Sequence, residues 1–261
     1  MNPVSPAAST LKWAGFILGV SLGGFFDGIL LHQVLQWHHL LSNVRAAALQ
    51  DLRAQVLADG LFHVLMYAVA AWGLVLLWRA RTQFGRPGAD RVLGSLALAG
   101  FGVWHVLDTV LSHWVTGIHR VRVDSPNPLF WDLLWLVLFG LLPLALGWWT
   151  GRRPGAGGER GRATALMLAL AAVLAGPLAA WPSQGDGPVL VMFRPGMEGA
   201  PAFDALGRAD ARVVWADRSG GMWAVELAGE AGTAALYAGG AILVSRSPVA
   251  LGCFSWLRPA A

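Results

Sequence analysis

The chain has 261 residues, of which 56% are hydrophobic and 13% charged, with 14 Trp and 33 Gly. That balance excludes an ordinary soluble domain. The net charge of +4 sits on arginines in short loops between apolar runs, which fits the cation bias of membrane loops and argues against nucleic acid as a partner.

In chain order, five apolar segments approach the roughly 20 residues that an α-helix needs to cross a bilayer. They are Leu11–Leu40, Gly60–Trp78, Val92–Trp114, Leu129–Trp149 and Ala163–Trp181. The first is too long for a signal peptide, carries Asp27 and histidines, and has only Lys12 ahead of it. Lys12, Arg79, Arg81, Arg86, Arg91, Arg152, Arg153, Arg160 and Arg162 fall on one side of the resulting bundle; Arg45, Arg53, Arg120 and Arg122 fall on the other. The excess predicts a cytoplasmic N-terminus and an outside C-terminus, in a bacterial inner membrane. Tryptophans near both boundaries, such as Trp78, Trp148, Trp37 and Trp131, match an interfacial belt.

From about Ser183 the composition becomes that of a small soluble domain. Strands are expected at Val189–Phe193, Arg212–Ala216, Met222–Leu227 and Ala241–Ser245, and helices at Ala200–Leu206 and Glu230–Tyr237. The order β-α-β-β-α-β predicts a ferredoxin-like periplasmic domain. The expected architecture is an α-helical membrane bundle over 11–150, a fifth span over 163–182 and this α+β domain over 185–261. The small domain holds no histidine, so packing, capping or docking a membrane or periplasmic protein partner is its expected work. Met192, Met197, Met222 and Cys253 are soft donors scattered through it, read as core, and a lone cysteine permits no intrachain disulfide.

All seven histidines lie between positions 32 and 119. Charged side chains at bilayer depth cost several kcal/mol, roughly 2.5–3.5 for Asp at a helix centre, so they face the bundle interior and serve a function. Mixed imidazole and carboxylate donors suit copper, iron or zinc. The candidate metal ligands are His32, His38, His39, His63, His113, His119 and Asp59. Asp27, His105, Asp108 and Asp132 are expected to orient them or to form a deeper site. Asp27-x4-His32-x5-His38 recurs as Asp108-x4-His113-x5-His119, an offset of 81 throughout. Helices one and three run the same way, so this predicts parallel repeats with matched depths. At about 1.5 Å per residue, His38, His39 and His119 fall at the outer surface, His32 and His113 roughly 10 Å down, and Asp27, Asp108 and His105 roughly 15–20 Å down.

Ideal α-helical phase sets further expectations. Asp59 and His63, or His105 and Asp108, share a face and could chelate together. Asp27 and His32, five apart, point in different directions, and His32 and His39 lie too far apart to share one ion. The best single constellation is His32 and His113 with His63 and one of His38, His39 or His119.

The stretch Asp27-Gly28-Ile29-Leu30-Leu31-His32-Gln33-Val34-Leu35-Gln36-Trp37-His38-His39, with Asp59-Gly60-Leu61-Phe62-His63, resembles an uncharacterised family of bacterial integral-membrane proteins. Asp108, His113 and His119 followed by Arg120-Val121-Arg122 resemble its second motif. The resemblance covers roughly residues 12–150. It implies four core helices, no established activity, and the company of respiratory-oxidase assembly proteins. Four functions follow as expectations. The first is a copper-handling accessory to a respiratory oxidase, using ligands that solvent can reach. The second is a di-metal oxidoreductase or hydroxylase, although the H-x2-3-H-H boxes of membrane hydroxylases are absent. The third is haem b held by a pair such as His32 and His113. The fourth is a structural bundle with hydrogen-bonded histidines.

Overall fold

The computed structural model describes residues 6–35, 37–46, 49, 52–153, 159–179, 188–227 and 230–245. Gln36, Trp181 and Cys253 lie outside the described residues. Long apolar runs without an internal charge cluster become helices, because in lipid every backbone group needs a partner within its own segment. Helix α1 spans Pro6–Asp27 and runs unbroken through Gly23-Gly24; α2 spans Leu52–Arg79; α3 spans Ala89–Asp108. Helix α4, Pro128–Trp135, starts where Asn127 accepts the Phe130 amide at 3.2 Å and Pro128 fills the first turn. It continues through a wide turn at Leu136–Leu141 into α5, Leu142–Gly151. Helix α6 spans Glu159–Ala179.

Among the described residues, four stretches are long and apolar enough to cross a membrane: Ser9–His32, Ala54–Arg79, Ala89–Val115 and Pro128–Gly151. Their outward faces carry large exposed apolar side chains, among them Leu61, Val64, Trp72, Leu133 and Val137, which water would penalise and lipid does not. The innermost pair is α1 and α3. Gly15, Gly19 and Gly23 form a stripe of small residues on α1 that lies against Leu93, Ala97 and Trp104 of α3, so the two helices run parallel. A Cβ on Gly19 would collide with the Ala97 carbonyl, and a Cβ on Gly100 with the Phe16 carbonyl. Gly19 and Gly100 differ by 81 in number, as do Phe16 and Ala97, so the closest approach is reciprocal.

Beyond Asp27 and beyond Asp108 the helix changes winding. Gly28–Val34 and Thr109–Val115 are π-helical, again 81 apart, and both unwind the same way. Leu35 N donates to Leu30 O at 2.8 Å and Thr116 N to Leu111 O at 2.8 Å; Trp37 N donates to Leu31 O at 2.9 Å and Ile118 N to Ser112 O at 3.0 Å. The two segments that follow cross over the end of the bundle, where Asn43 N reaches Ile118 O at 2.9 Å and Val123 N reaches Trp37 O at 3.3 Å.

The small domain builds β1 (Val189–Phe193), α7 (Ala200–Arg208), β2 (Ala211–Ala216), β3 (Met222–Leu227), α8 (Glu230–Ala238) and β4 (Ala241–Ser245). The strands form one sheet in the order β2-β3-β1-β4 with every neighbouring pair antiparallel. Val189, Val191 and Phe193 face Ala202, Leu206 and Leu236 of the helices. The other face, with Leu190, Met192 and Met222, packs against Val56 of α2. That seats the sheet at the bundle end where α2 begins, one turn from Asp59.

Candidate metal centre

The π turns determine which side chains meet. In an α-helix, residues five apart diverge; an i→i+5 winding brings them back onto one face. Asp108 Oδ2 therefore lies 3.1 Å from His113 Nε2, and Asp108 Oδ1 lies 3.6 Å from His119 Nε2. One donor atom from each of Asp108, His113 and His119 falls within 4.8 Å of the others, and all three residues are buried. Their inward atoms, Asp108 Oδ2 and the Nε2 atoms of His113 and His119, make no hydrogen bond among the described residues. The same π winding begins between Asp27 and His32.

The preceding motif places the matching residues alongside. His32 Nε2 lies 3.1 Å from His38 Nε2, and the ring centroids of that pair stand 4.7 Å apart, against 4.8 Å for His113 and His119. His38 and His119 stack between the two halves at 4.5 Å and 6°. Asp27 is 3% exposed and its Oδ1 is buried without a hydrogen-bond partner among the described residues.

Each of these four imidazoles turns its Nδ1 outward to an oxygen. His38 Nδ1 donates to Val121 O at 3.0 Å and His119 Nδ1 to Leu40 O at 3.0 Å, a reciprocal exchange across the crossing segments. His32 Nδ1 lies 3.1 Å from Asp59 Oδ1, and His113 Nδ1 lies 3.1 Å from Asp132 Oδ1. Asp59 Oδ1 also accepts the Leu40 amide at 2.8 Å; Asp132 Oδ1 accepts the Val121 amide at 3.1 Å. On the second oxygen, Asp59 takes His39 Nδ1 at 2.6 Å, and Asp132 takes Arg120 Nη1 at 2.6 Å with Trp114 Nε1 at 3.3 Å. In His38 and His119 the carbonyl fixes the proton on Nδ1 and leaves a lone pair at Nε2, the arrangement that carboxylate or carbonyl partners impose on metal-binding histidines. Burial, reinforced by the neighbouring His119 and His32 rings, holds His38 well below the usual imidazole range, so it stays neutral.

The remaining candidates lie aside. His63 Nδ1 donates to the Asp59 carbonyl at 2.8 Å while the Asp59 carboxylate turns away to His32 and His39, so the expected i, i+4 chelate does not form. His32 and His39, expected too far apart to share one ion, contact different oxygens of Asp59, because the helix ends at Val34 and the chain turns back. His105 Nδ1 accepts Trp135 Nε1 at 3.2 Å among Phe26, Phe101 and Phe139, while Asp108 turns to His113 and His119. Their expected i, i+3 chelate is absent too. His38, His39 and His119, expected at the solvent surface, are 0%, 4% and 1% exposed, because the two crossing segments close over them. The equivalence of Asp59 and Asp132 escaped the sequence reading. Their offset is 73, not 81, and the one available signal was an aromatic three residues on, Phe62 and Trp135.

This arrangement defines a helical membrane protein with a buried Asp/His group able to hold a metal ion. The family described as "Predicted membrane protein (DUF2243)" matches residues 14–154, and the chain belongs to it. The matched region runs from within α1 to beyond α5 and contains every residue of the site. No curated protein and no solved structure matches the chain.

Proposed function

We propose that the chain is a membrane metalloprotein with a resident transition-metal centre that performs redox or oxygen chemistry. The observation that carries this reading is the convergence of Asp108, His113 and His119, buried, at ion-pair distance from one another and with inward donor atoms that make no hydrogen bond among the described residues. Buried polar atoms without partners are rare, and a bound ion is among the standard explanations. Two imidazoles and one carboxylate are the donor set of non-haem iron sites that keep coordination positions open. The donor spacing fits: two ligands bonded at about 2.0–2.1 Å to one ion stand about 2.9–3.3 Å apart, and Asp108 Oδ2 to His113 Nε2 is 3.1 Å.

Iron is the first choice and copper the second. The copper-transfer accessory is less favoured, since a transfer site needs ligands that solvent reaches and these are enclosed. Haem b is less favoured because the Nε2 atoms of His32 and His113, the expected axial pair, turn to His38 Nε2 and Asp108 Oδ2 at 3.1 Å each. The same proposal takes α6 as a fifth span. It takes the small domain as ferredoxin-like, supported by its element order and its β2-β3-β1-β4 sheet. It sets the site and that domain on the periplasmic side of the inner membrane, supported by the cation bias of the loops.

The test is purification in mild detergent followed by metal analysis and absorption spectroscopy. The expected result is iron or copper that survives dialysis against a chelator and is lost in Asp108→Ala. A Soret band, or a protein free of metal after both gentle purification and anaerobic incubation with ferrous iron, would overturn it.

A further inference from the structure

We infer that Asp27, His32 and His38 form a second metal site beside that of Asp108, His113 and His119, so that the chain holds two ions, one per motif. This rests on the metal reading above and extends it to residues that the tightest donor cluster leaves out.

Four observations carry it. First, the two triads share residue types and spacing at an offset of 81, and the π turns that aim them share that offset. The backbone therefore delivers the same side chains to the same relative places. Second, the donor atoms within the first triad approach as ligands of one ion do. His32 Nε2 and His38 Nε2 are 3.1 Å apart, inside the about 2.9–3.3 Å expected for two nitrogens on one ion. His38 Nδ1 donates to Val121 O, so its Nε2 lone pair faces His32 Nε2, where either a proton on His32 or a cation can stand between them. Third, Asp27 brings an acid group with a buried, unpartnered Oδ1 to the same bundle end. Fourth, His38 Nε2 meets His32 Nε2 at 3.1 Å and His119 Nε2 lies 3.6 Å from Asp108 Oδ1, each within its own motif. Between motifs, the His38 and His119 rings stack at 4.5 Å, and the pairs His32–His119 and His38–His113 have centroids 6.4 Å apart.

The stacked His38 and His119 rings then separate the two ions, each ring serving its own side. The backing differs on the second carboxylate oxygen: His39 contacts Asp59, whereas Arg120 and Trp114 contact Asp132. Two similar but inequivalent ions are expected.

The experiment is an anaerobic titration of the full chain in detergent with ferrous iron, counting bound ions per chain by mass spectrometry. Two ions are expected for the unaltered protein. One is expected for His38→Ala and one for His119→Ala, each variant leaving the other site filled. Asp27→Asn, nearly isosteric, replaces His38→Ala if the latter does not elute as a monodisperse species. A single ion in the unaltered chain, lost with His119→Ala and retained with His38→Ala and Asp27→Asn, would overturn the second site. A single ion lost with either variant would overturn it in favour of one shared centre. No ion at all would sink the metal reading itself, so the two failures are distinguishable.

Discussion

Asp59 and Asp132 touch none of the inward Nε2 atoms, yet they decide what those atoms can do. Each carboxylate stands 3.1 Å from a histidine Nδ1 and accepts a backbone amide on the same oxygen, which ties ring position to the crossing segment. Loss of such an orienting partner typically lowers metal affinity 10–100-fold. Asp132→Asn, which keeps the shape and removes the charge, is expected to weaken metal retention by roughly that factor in chelator competition. His105 provides the contrast. It sits among aromatic rings and accepts the Trp135 indole, so His105→Phe is expected to leave metal occupancy unchanged. It strands a buried N–H at a cost of about 1–3 kcal/mol, visible as a lower melting temperature in detergent. The candidate residue types were legible at this scale because ionisable groups in apolar helices stand out. Their partners were not, since tautomer and hydrogen bonding depend on the chain crossing over itself at Leu40 and Val121, contacts 79 to 83 residues apart in sequence.

At the scale of elements, the membrane helices and the four strands could be read from apolar length and alternation. Val189–Phe193, Met222–Leu227 and Ala241–Ser245 fall on the segments that the pattern marks. The π turns could not be read this way. Nothing in Gly28–Val34 or Thr109–Val115 departs from an ordinary apolar helix, and an ideal α-helical phase sends Asp27 and Asp108 away from the histidines they accompany. The spacing x4 then x5 was the trace of that winding, present in both motifs. The glycine stripe Gly15-x3-Gly19-x3-Gly23 was also visible and went unused, although it fixes how closely α1 meets α3. Gly19→Val is expected to force those helices apart. It should cost about 1–3 kcal/mol in stability, and metal retention should fall with it, because Asp27 and Asp108 continue the same two helices. Thermal unfolding in detergent with and without ferrous iron checks both effects. A variant with unchanged melting and full metal content would contradict the close packing described.

For the whole molecule, both ends of the bundle carry arginines laid on indole faces. Arg152 lies over Trp148 at 3.5 Å and Arg153 over Trp149 at 3.3 Å at one end; Arg122 lies near Trp37 and Trp131 at the other, at 5.2 and 5.3 Å. These pairs suit the two interfacial layers of a bilayer. The first end holds most of the cations, and the second holds the site and the small domain, whose sheet rests on Val56. A periplasmic reporter fused after Ala261 is expected to be active and a cytoplasmic one silent. The reverse pattern would turn the site toward the cytoplasm.

The central claim is that the buried imidazoles and carboxylates ligate a metal. X-ray absorption at the iron or copper edge of the purified protein tests it most directly. The account predicts a first shell of nitrogen and oxygen at about 2.0–2.2 Å with the multiple-scattering pattern of imidazole. A shell dominated by sulfur, or no edge above that of the buffer, would contradict it.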